Sequence, residues 1–157
     1  MIDLATPIVP YKGTGIFELN ANYNDVIARM QAADIGYMKE VWKDNDTDPP
    51  WTVITISKAD SQFEAVKLFF AKDRLWKICL CYDFEGTLPN GIHTGMNFEE
   101  ALEIDKNLRQ DEDWDEVYIS SDGYFIEYGN RTLEIIMISV FIPAFETDNF
   151  YNYDWKQ

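Results

Sequence analysis

The stretch "FEAVKLFFAKDRLWKICLCYDF", Phe63 to Phe84, decides the fold. Apolar and polar residues alternate on both sides of the polar break from Ala71 to Arg74. Alternation with a period of two is typical of half-buried strands, and a short polar break between two such runs is typical of a turn. The stretch therefore predicts an antiparallel hairpin that turns at 71–74.

A second stretch repeats the pattern of the first. "FFAKDRLWKICL" (69–80) aligns without gaps with "EYGNRTLEIIMI" (127–138). In that alignment three apolar pairs coincide: Leu75 with Leu133, Ile78 with Ile136, and Leu80 with Ile138. The dipeptides Asp122-Gly123 and Gly129-Asn130 are typical hairpin turns. The chain from 116 to 142 is therefore predicted to form three strands.

Each sheet segment follows a predicted helix. Asn22 opens "NYNDVIARMQAADIG" and Asn97 opens "NFEEALEI", and asparagine is a favoured N-cap residue. Apolar residues recur at helical spacing after both caps. The loop "EGTLPNG" (85–91) separates the two parts.

Further strands are predicted at 13–19, in "YMKEVWK" and in "WTVITIS" (51–57). The sequence thus predicts one α+β domain over 1–157, with two helices on an antiparallel sheet. Pseudo-repeats are predicted at 13–84 and 91–142, followed by an acidic aromatic tail at 143–157. Two unrelated α+β halves would give nearly the same pattern.

The composition limits the partners. The 157 residues include 13 basic and 28 acidic side chains, for a net charge of −15. Phosphate binding requires clustered Lys and Arg, so neither nucleic acid nor an anionic membrane is expected as a direct partner. A basic protein partner, or none, fits this charge. The oligomeric state is left open.

The N-terminus lacks a basic region and a long apolar run, so no secretion signal is predicted. The longest apolar run, "IIMISVFI" (135–142), is too short to cross a bilayer. We therefore expect a cytoplasmic protein whose cysteines, Cys79 and Cys81, are reduced and structural.

The sequence predicts no enzyme, cofactor or metal. His93 is the single histidine, and no nucleophile-elbow, zinc-protease or phosphate-loop motif is present. Two acidic runs have the 1-3-5 spacing of a calcium loop, Asp44-Asp46-Asp48 and Asp111-Asp113-Asp115. Both lack the glycine at the sixth position and the glutamate at the twelfth, so calcium binding is not expected.

Acidic residues recur beside large aromatic residues, as they do in interface hot spots. We predict a partner-binding set of three acidic and aromatic segments: Asp44, Asp46, Asp48, Trp51, Asp111, Asp113, Trp114, Asp115, Glu116, Tyr151, Tyr153, Asp154 and Trp155. The competing interpretation places each tryptophan in the core and docks the tail on its own domain.

In size, acidity, aromatic loops and α+β pattern, the chain resembles the small immunity proteins of bacterial polymorphic toxins, particularly those of contact-dependent growth inhibition systems. Its element order is similar to the tandem repeat of β-lactamase-inhibitor-type proteins. The resemblance implies a protein that binds one cognate toxin domain, often a basic nuclease, and blocks its active or substrate-binding face. The alternative is a small non-enzymatic structural or adaptor domain.

Overall fold

The computed structural model describes residues 1–43 and 50–146, and it confirms the α+β class. The helices are α1 (Tyr23–Ala32), α2 (Phe98–Ile104) and a final 3-10 helix (Pro143–Glu146). Three short strands near the N-terminus form a small antiparallel sheet: β1 (Ile8–Val9), β2 (Gly13–Thr14) and β3 (Phe17–Glu18).

The larger sheet is antiparallel and has eight strands. Four follow α1: β4 (Met38–Trp42), β5 (Trp51–Ser57), β6 (Glu64–Ala71) and β7 (Arg74–Cys81). Four follow α2: β8 (Arg109–Gln110), β9 (Val117–Ser120), β10 (Tyr124–Tyr128) and β11 (Ile135–Phe141). The order across the sheet is β4-β5-β6-β7-β11-β10-β9-β8, so the last strands of the two groups pair at the centre.

Both helices begin where the asparagine caps predict. The Asn22 side chain accepts the Asn24 amide at 2.9 Å, and the Asn97 side chain accepts the Glu99 amide at 2.8 Å. Each cap satisfies an amide that the first helical turn leaves without a partner. Val26, Met30 and Ala101 then face the core.

The two halves share the same junction between helix and last strand. The Leu75 amide donates to the Ala21 carbonyl at 3.0 Å, and the Ile135 amide donates to the Met96 carbonyl at 2.7 Å. Asp73 and Leu133, which lie two residues before Leu75 and Ile135, both have positive φ, 64° and 58°. The pairings of β6 with β7 and of β10 with β11 each contain a bulge near this junction.

These contacts correct the ungapped alignment in the last strand. Leu75 matches Ile135 rather than Leu133, because four residues connect Phe70 to Leu75 but six connect Tyr128 to Ile135. The two additional residues lengthen the second hairpin loop and move its strand by two positions. An origin by duplication remains a prediction.

Four short strands also differ from the sequence predictions or were not predicted. The single strand predicted at 13–19 is divided into β2 and β3, because Gly15 (φ 53°) turns the chain between them. Strands β1 and β8 were not predicted, because two residues each are too few to show alternation.

The sheet has a covered face and an open face. Helices α1 and α2 and the N-terminal strands pack on one face over a cluster that includes Leu75, Ile78 and Leu80. The opposite face carries a smaller cluster of Val53, Phe69, Trp76 and Cys79, which the 3-10 helix contacts through Ala144 and Phe145. None of the helices in the described residues has the length and apolar character needed to cross a bilayer.

Candidate functional site

A groove of about 450 Å³ lies on the open face of the large sheet. One wall is the loop between β8 and β9, which contributes Asp111, Asp113, Trp114 and Glu116. The floor and the opposite wall come from the strands and the 3-10 helix: Lys77, Val117, Ile119, Phe125, Glu127, Met137 and Phe145. We call this the open groove.

The loop that forms the first wall is closed by its own backbone. The Asp111 amide donates to the Val117 carbonyl at 2.8 Å, and the Val117 amide donates to the Trp114 carbonyl at 3.1 Å. The Asp111 carboxylate accepts the amides of Asp113 and Trp114 at 2.9 and 3.0 Å. These bonds hold the loop shape, although the indole of Trp114 remains 67% exposed.

Two of the carboxylates that line the groove, those of Glu116 and Glu127, have shifted pKa values. Glu116 accepts the Asn130 side-chain amide at 2.6 Å, and this hydrogen bond holds the pKa of Glu116 below its ordinary value. Burial raises the pKa of Glu127, the neighbouring Glu116 raises it further, and Lys77 opposes both effects only in part. Glu127 is therefore a half-buried acid whose charge is only partly compensated.

Lys77 provides the cation of the groove floor. Its Nζ lies 4.1 Å from the centre of the Phe69 ring, 5.0 Å from that of Trp76 and 5.9 Å from that of Phe125. An ammonium over aromatic faces is stabilised by the ring quadrupoles. The groove therefore has four carboxylates, one ammonium and an apolar floor.

Four of the predicted binding residues meet in the groove: Asp111, Asp113, Trp114 and Glu116. Asp115 is exposed beside them, and its backbone carbonyl accepts the Gln110 side chain at 3.0 Å. Trp51 begins β5 and lies half-buried with its ring 5.1 Å from that of Trp76. Trp51 and Trp114 both follow acidic residues in the sequence, but only Trp114 lines the groove.

The remaining predicted residues lie outside the described part of the chain: Asp44, Asp46, Asp48, Tyr151, Tyr153, Asp154 and Trp155. The described start of the tail docks on its own domain. The Phe145 ring stacks on Trp76 with ring centres 5.5 Å apart and also contacts Phe141 at 4.8 Å.

Sequence reasoning missed the residues that the strands bring to the groove, above all Lys77, Glu127 and Met137. Lys77 is far in sequence from Glu127 and Met137, and the three residues meet because β7, β11 and β10 are neighbours in the sheet. A weak signal was present in "YFIEY", where Phe125 and Glu127 are spaced to share one strand face.

The single histidine and the two cysteines each interact with neighbouring parts of the fold. Nδ1 of His93 is 2.7 Å from the Thr94 carbonyl oxygen. Burial raises the pKa of the Cys81 thiol to about 12, which keeps it protonated, and the Ser139 hydroxyl donates to the Cys79 sulfur at 3.1 Å. Residues 1–43 and 50–146 contain no cluster of metal-ligating side chains.

The fold and the groove together define an antiparallel α+β protein with an open, acidic and aromatic surface. A comparison of the chain with protein-family models, with curated proteins and with solved structures found no match.

Proposed function

We propose that this chain is an immunity-type inhibitor that binds a basic toxin domain and blocks its active or substrate-binding face. The observation that carries the proposal is Trp114, a large aromatic side chain that is 67% exposed at the wall of an acidic groove. Exposed aromatic anchors surrounded by charged groups are typical of protein interfaces.

The charge of the groove indicates the kind of partner. Asp111, Asp113, Glu116 and Glu127 outnumber Lys77, and the whole chain carries a net charge of −15. A nuclease-type toxin presents Lys and Arg for phosphate, and carboxylates satisfy these groups through charge-assisted, often bidentate hydrogen bonds. Complementary charge also accelerates the encounter of inhibitor and toxin.

The apolar part of the groove supplies the desolvated contact area. Val117, Ile119, Phe125 and Met137 form a floor between the acidic wall and Phe145. Charges at the rim of an interface contribute mainly to the rate and orientation of binding, whereas buried apolar anchors contribute most of the affinity. A toxin that covers the groove would contact both.

The test is co-expression of this chain with the C-terminal domain encoded by the gene adjacent to its own, which the proposal predicts to be a toxin. Cells should survive with the wild-type chain, and protection should fall when Trp114→Ala is introduced. Phe63→Ala is the matched control, because Phe63 is an aromatic residue of similar exposure, 63%, that lies outside the groove. Death of cells that contain the wild-type chain would contradict the proposed function.

A further inference from the structure

We infer that the open groove contains a binding position for one arginine side chain of the partner, between the indole of Trp114 and the carboxylates of Glu116 and Glu127. This inference rests on the proposed function and specifies the partner chemistry that the groove recognises. We call this position the arginine position.

The strand pairing brings these three side chains together. Glu127 on β10 is the cross-strand neighbour of Val117 on β9, and Val117 directly follows Glu116. The Val117 amide is held by the Trp114 carbonyl at 3.1 Å, and the Tyr128 amide donates to the Glu116 carbonyl at 3.1 Å. Trp114, Glu116 and Glu127 all line the open groove, so one side chain of a partner that enters the groove can contact all three.

The hydrogen-bonding capacity of Glu127 favours a cation with several donors. Its carboxylate is half-buried, and the charges of Glu116 and Lys77 act on it with opposite signs. A partly buried carboxylate is stabilised by a donor that carries positive charge, because the hydrogen bond is charge-assisted. Glu116 already accepts Asn130, which fixes one side of this position.

The aromatic groups favour arginine over lysine. A guanidinium is planar, stacks on an indole and donates two parallel hydrogen bonds to a carboxylate, whereas an ammonium is a compact point charge. Lys77 already lies over the Phe69 ring at 4.1 Å on the groove floor. Lys77 lies over the rings of the groove floor and not over Trp114. The exposed Trp114 at the rim therefore offers its indole to a guanidinium of the partner.

The test is an NMR titration of the nitrogen-15-labelled full chain with the peptide acetyl-Gly-Arg-Gly-amide. The chain has five tryptophans, and Trp114→Phe identifies the Trp114 indole signal. The arginine peptide should shift that signal and the Glu127 amide in a saturable way. The matched peptide with citrulline has the same shape without the charge and should produce no saturable shift. A lysine peptide should bind at least about threefold more weakly than the arginine peptide.

Two variants separate the arginine position from general attraction to an acidic protein. Glu127→Gln should weaken the arginine peptide by about tenfold, because it removes a charged acceptor at the position. Glu99→Gln, an exposed acid on α2 outside the groove, removes the same charge and should leave the titration unchanged. Equal shifts with the arginine and citrulline peptides, or unchanged affinity in Glu127→Gln, would overturn the inference.

The outcome is distinguishable from failure of the proposed function. If the arginine peptide fails to bind but co-expressed cells survive, the arginine position is wrong and the inhibitor function stands. If the peptide binds as described but the cells die, the arginine position stands and the toxin partner is wrong.

Discussion

Asp111 holds Trp114 in place through a hydrogen bond from the Trp114 amide to the Asp111 carboxylate at 3.0 Å. The same carboxylate oxygen accepts the Asp113 amide at 2.9 Å. Asp111 therefore has two separable properties, the charge that it adds to the groove and the acceptor that shapes the loop.

We expect Asp111→Asn and Asp111→Ala to differ. Asparagine keeps a carbonyl acceptor and should leave the Trp114 indole NMR signal near its wild-type position. Alanine removes both hydrogen bonds and should lower the free energy of unfolding by about 0.5–1.5 kcal/mol, with a displaced indole signal. Urea denaturation and the indole spectrum measure these effects, and identical spectra for the two variants would contradict this role.

A second prediction concerns Leu133, whose φ of 58° is unfavourable for a residue with a side chain. Leu133→Gly should be more stable than Leu133→Ala by about 1 kcal/mol, because only glycine adopts this conformation without strain. Both variants remove the same partly exposed leucine side chain beyond Cβ, so their difference in unfolding free energy isolates the backbone. An alanine variant that matches or exceeds the glycine variant would show that the junction is unstrained.

A third prediction concerns the buried carboxylate of Asp105, which accepts the Ser120 hydroxyl at 2.6 Å and the Tyr124 hydroxyl at 2.5 Å. Burial alone would raise the pKa of Asp105, but hydrogen bonds from Ser120, Tyr124 and the Asn107 amide lower it. A lowered folded-state pKa adds stability above the ordinary value of 3.8, and this stability is lost as the pH falls through the folded-state pKa.

Tyr124→Phe should therefore cost about 1.5–3 kcal/mol of unfolding free energy at neutral pH, and the cost should shrink as the pH falls below the pKa of Asp105. Urea titrations from neutral pH into the acid range measure both effects. Tyr118→Phe is the control, since the Tyr118 hydroxyl has no hydrogen bond within the described residues and its ring lies against Phe98. A cost in Tyr124→Phe that is independent of pH would contradict the link to Asp105.

A fourth prediction concerns Glu127, whose pKa is raised in the fold, whereas that of Asp105 is lowered. Because the folded-state pKa lies above the ordinary value of 4.5, the folded state binds more protons than the unfolded state between these two pKa values. The stability of the protein therefore falls as the pH rises through this range. Glu127→Gln should gain stability relative to the wild type as the pH rises from about 4 to 7, although it weakens binding. A difference between the two proteins that does not change with pH would show that Glu127 is not destabilised in the fold.

The order of the elements could be predicted from the sequence because its signals are local. Asn22 and Asn97 mark the helix starts, and the alternation from Phe63 to Phe84 marks the central hairpin. The two-residue strand β8 carries no periodic signal. The ungapped alignment of the last strands is wrong by two positions, because the second hairpin has two more residues between its paired strands than the first. No local pattern shows that difference.

The groove could be predicted only on its loop side. The acidic and aromatic composition around Trp114 indicates an exposed surface, and these residues are contiguous in the chain. Lys77 and Glu127 are fifty positions apart and meet through the β7-β11-β10 order, which no local pattern specifies. Trp51 follows a similar acidic segment but packs on Trp76 and does not line the groove, and its role in partner binding stays a prediction.

The most direct test of the proposed inhibitor function is calorimetric titration of the purified C-terminal domain encoded by the adjacent gene with wild-type, Trp114→Ala and Phe63→Ala chains. We predict that Trp114→Ala weakens binding by at least about tenfold, with the free energy of unfolding unchanged within about 0.5 kcal/mol. Phe63→Ala should bind like the wild type. Binding of Trp114→Ala as tight as that of the wild type would show that the open groove is not the surface through which this chain acts.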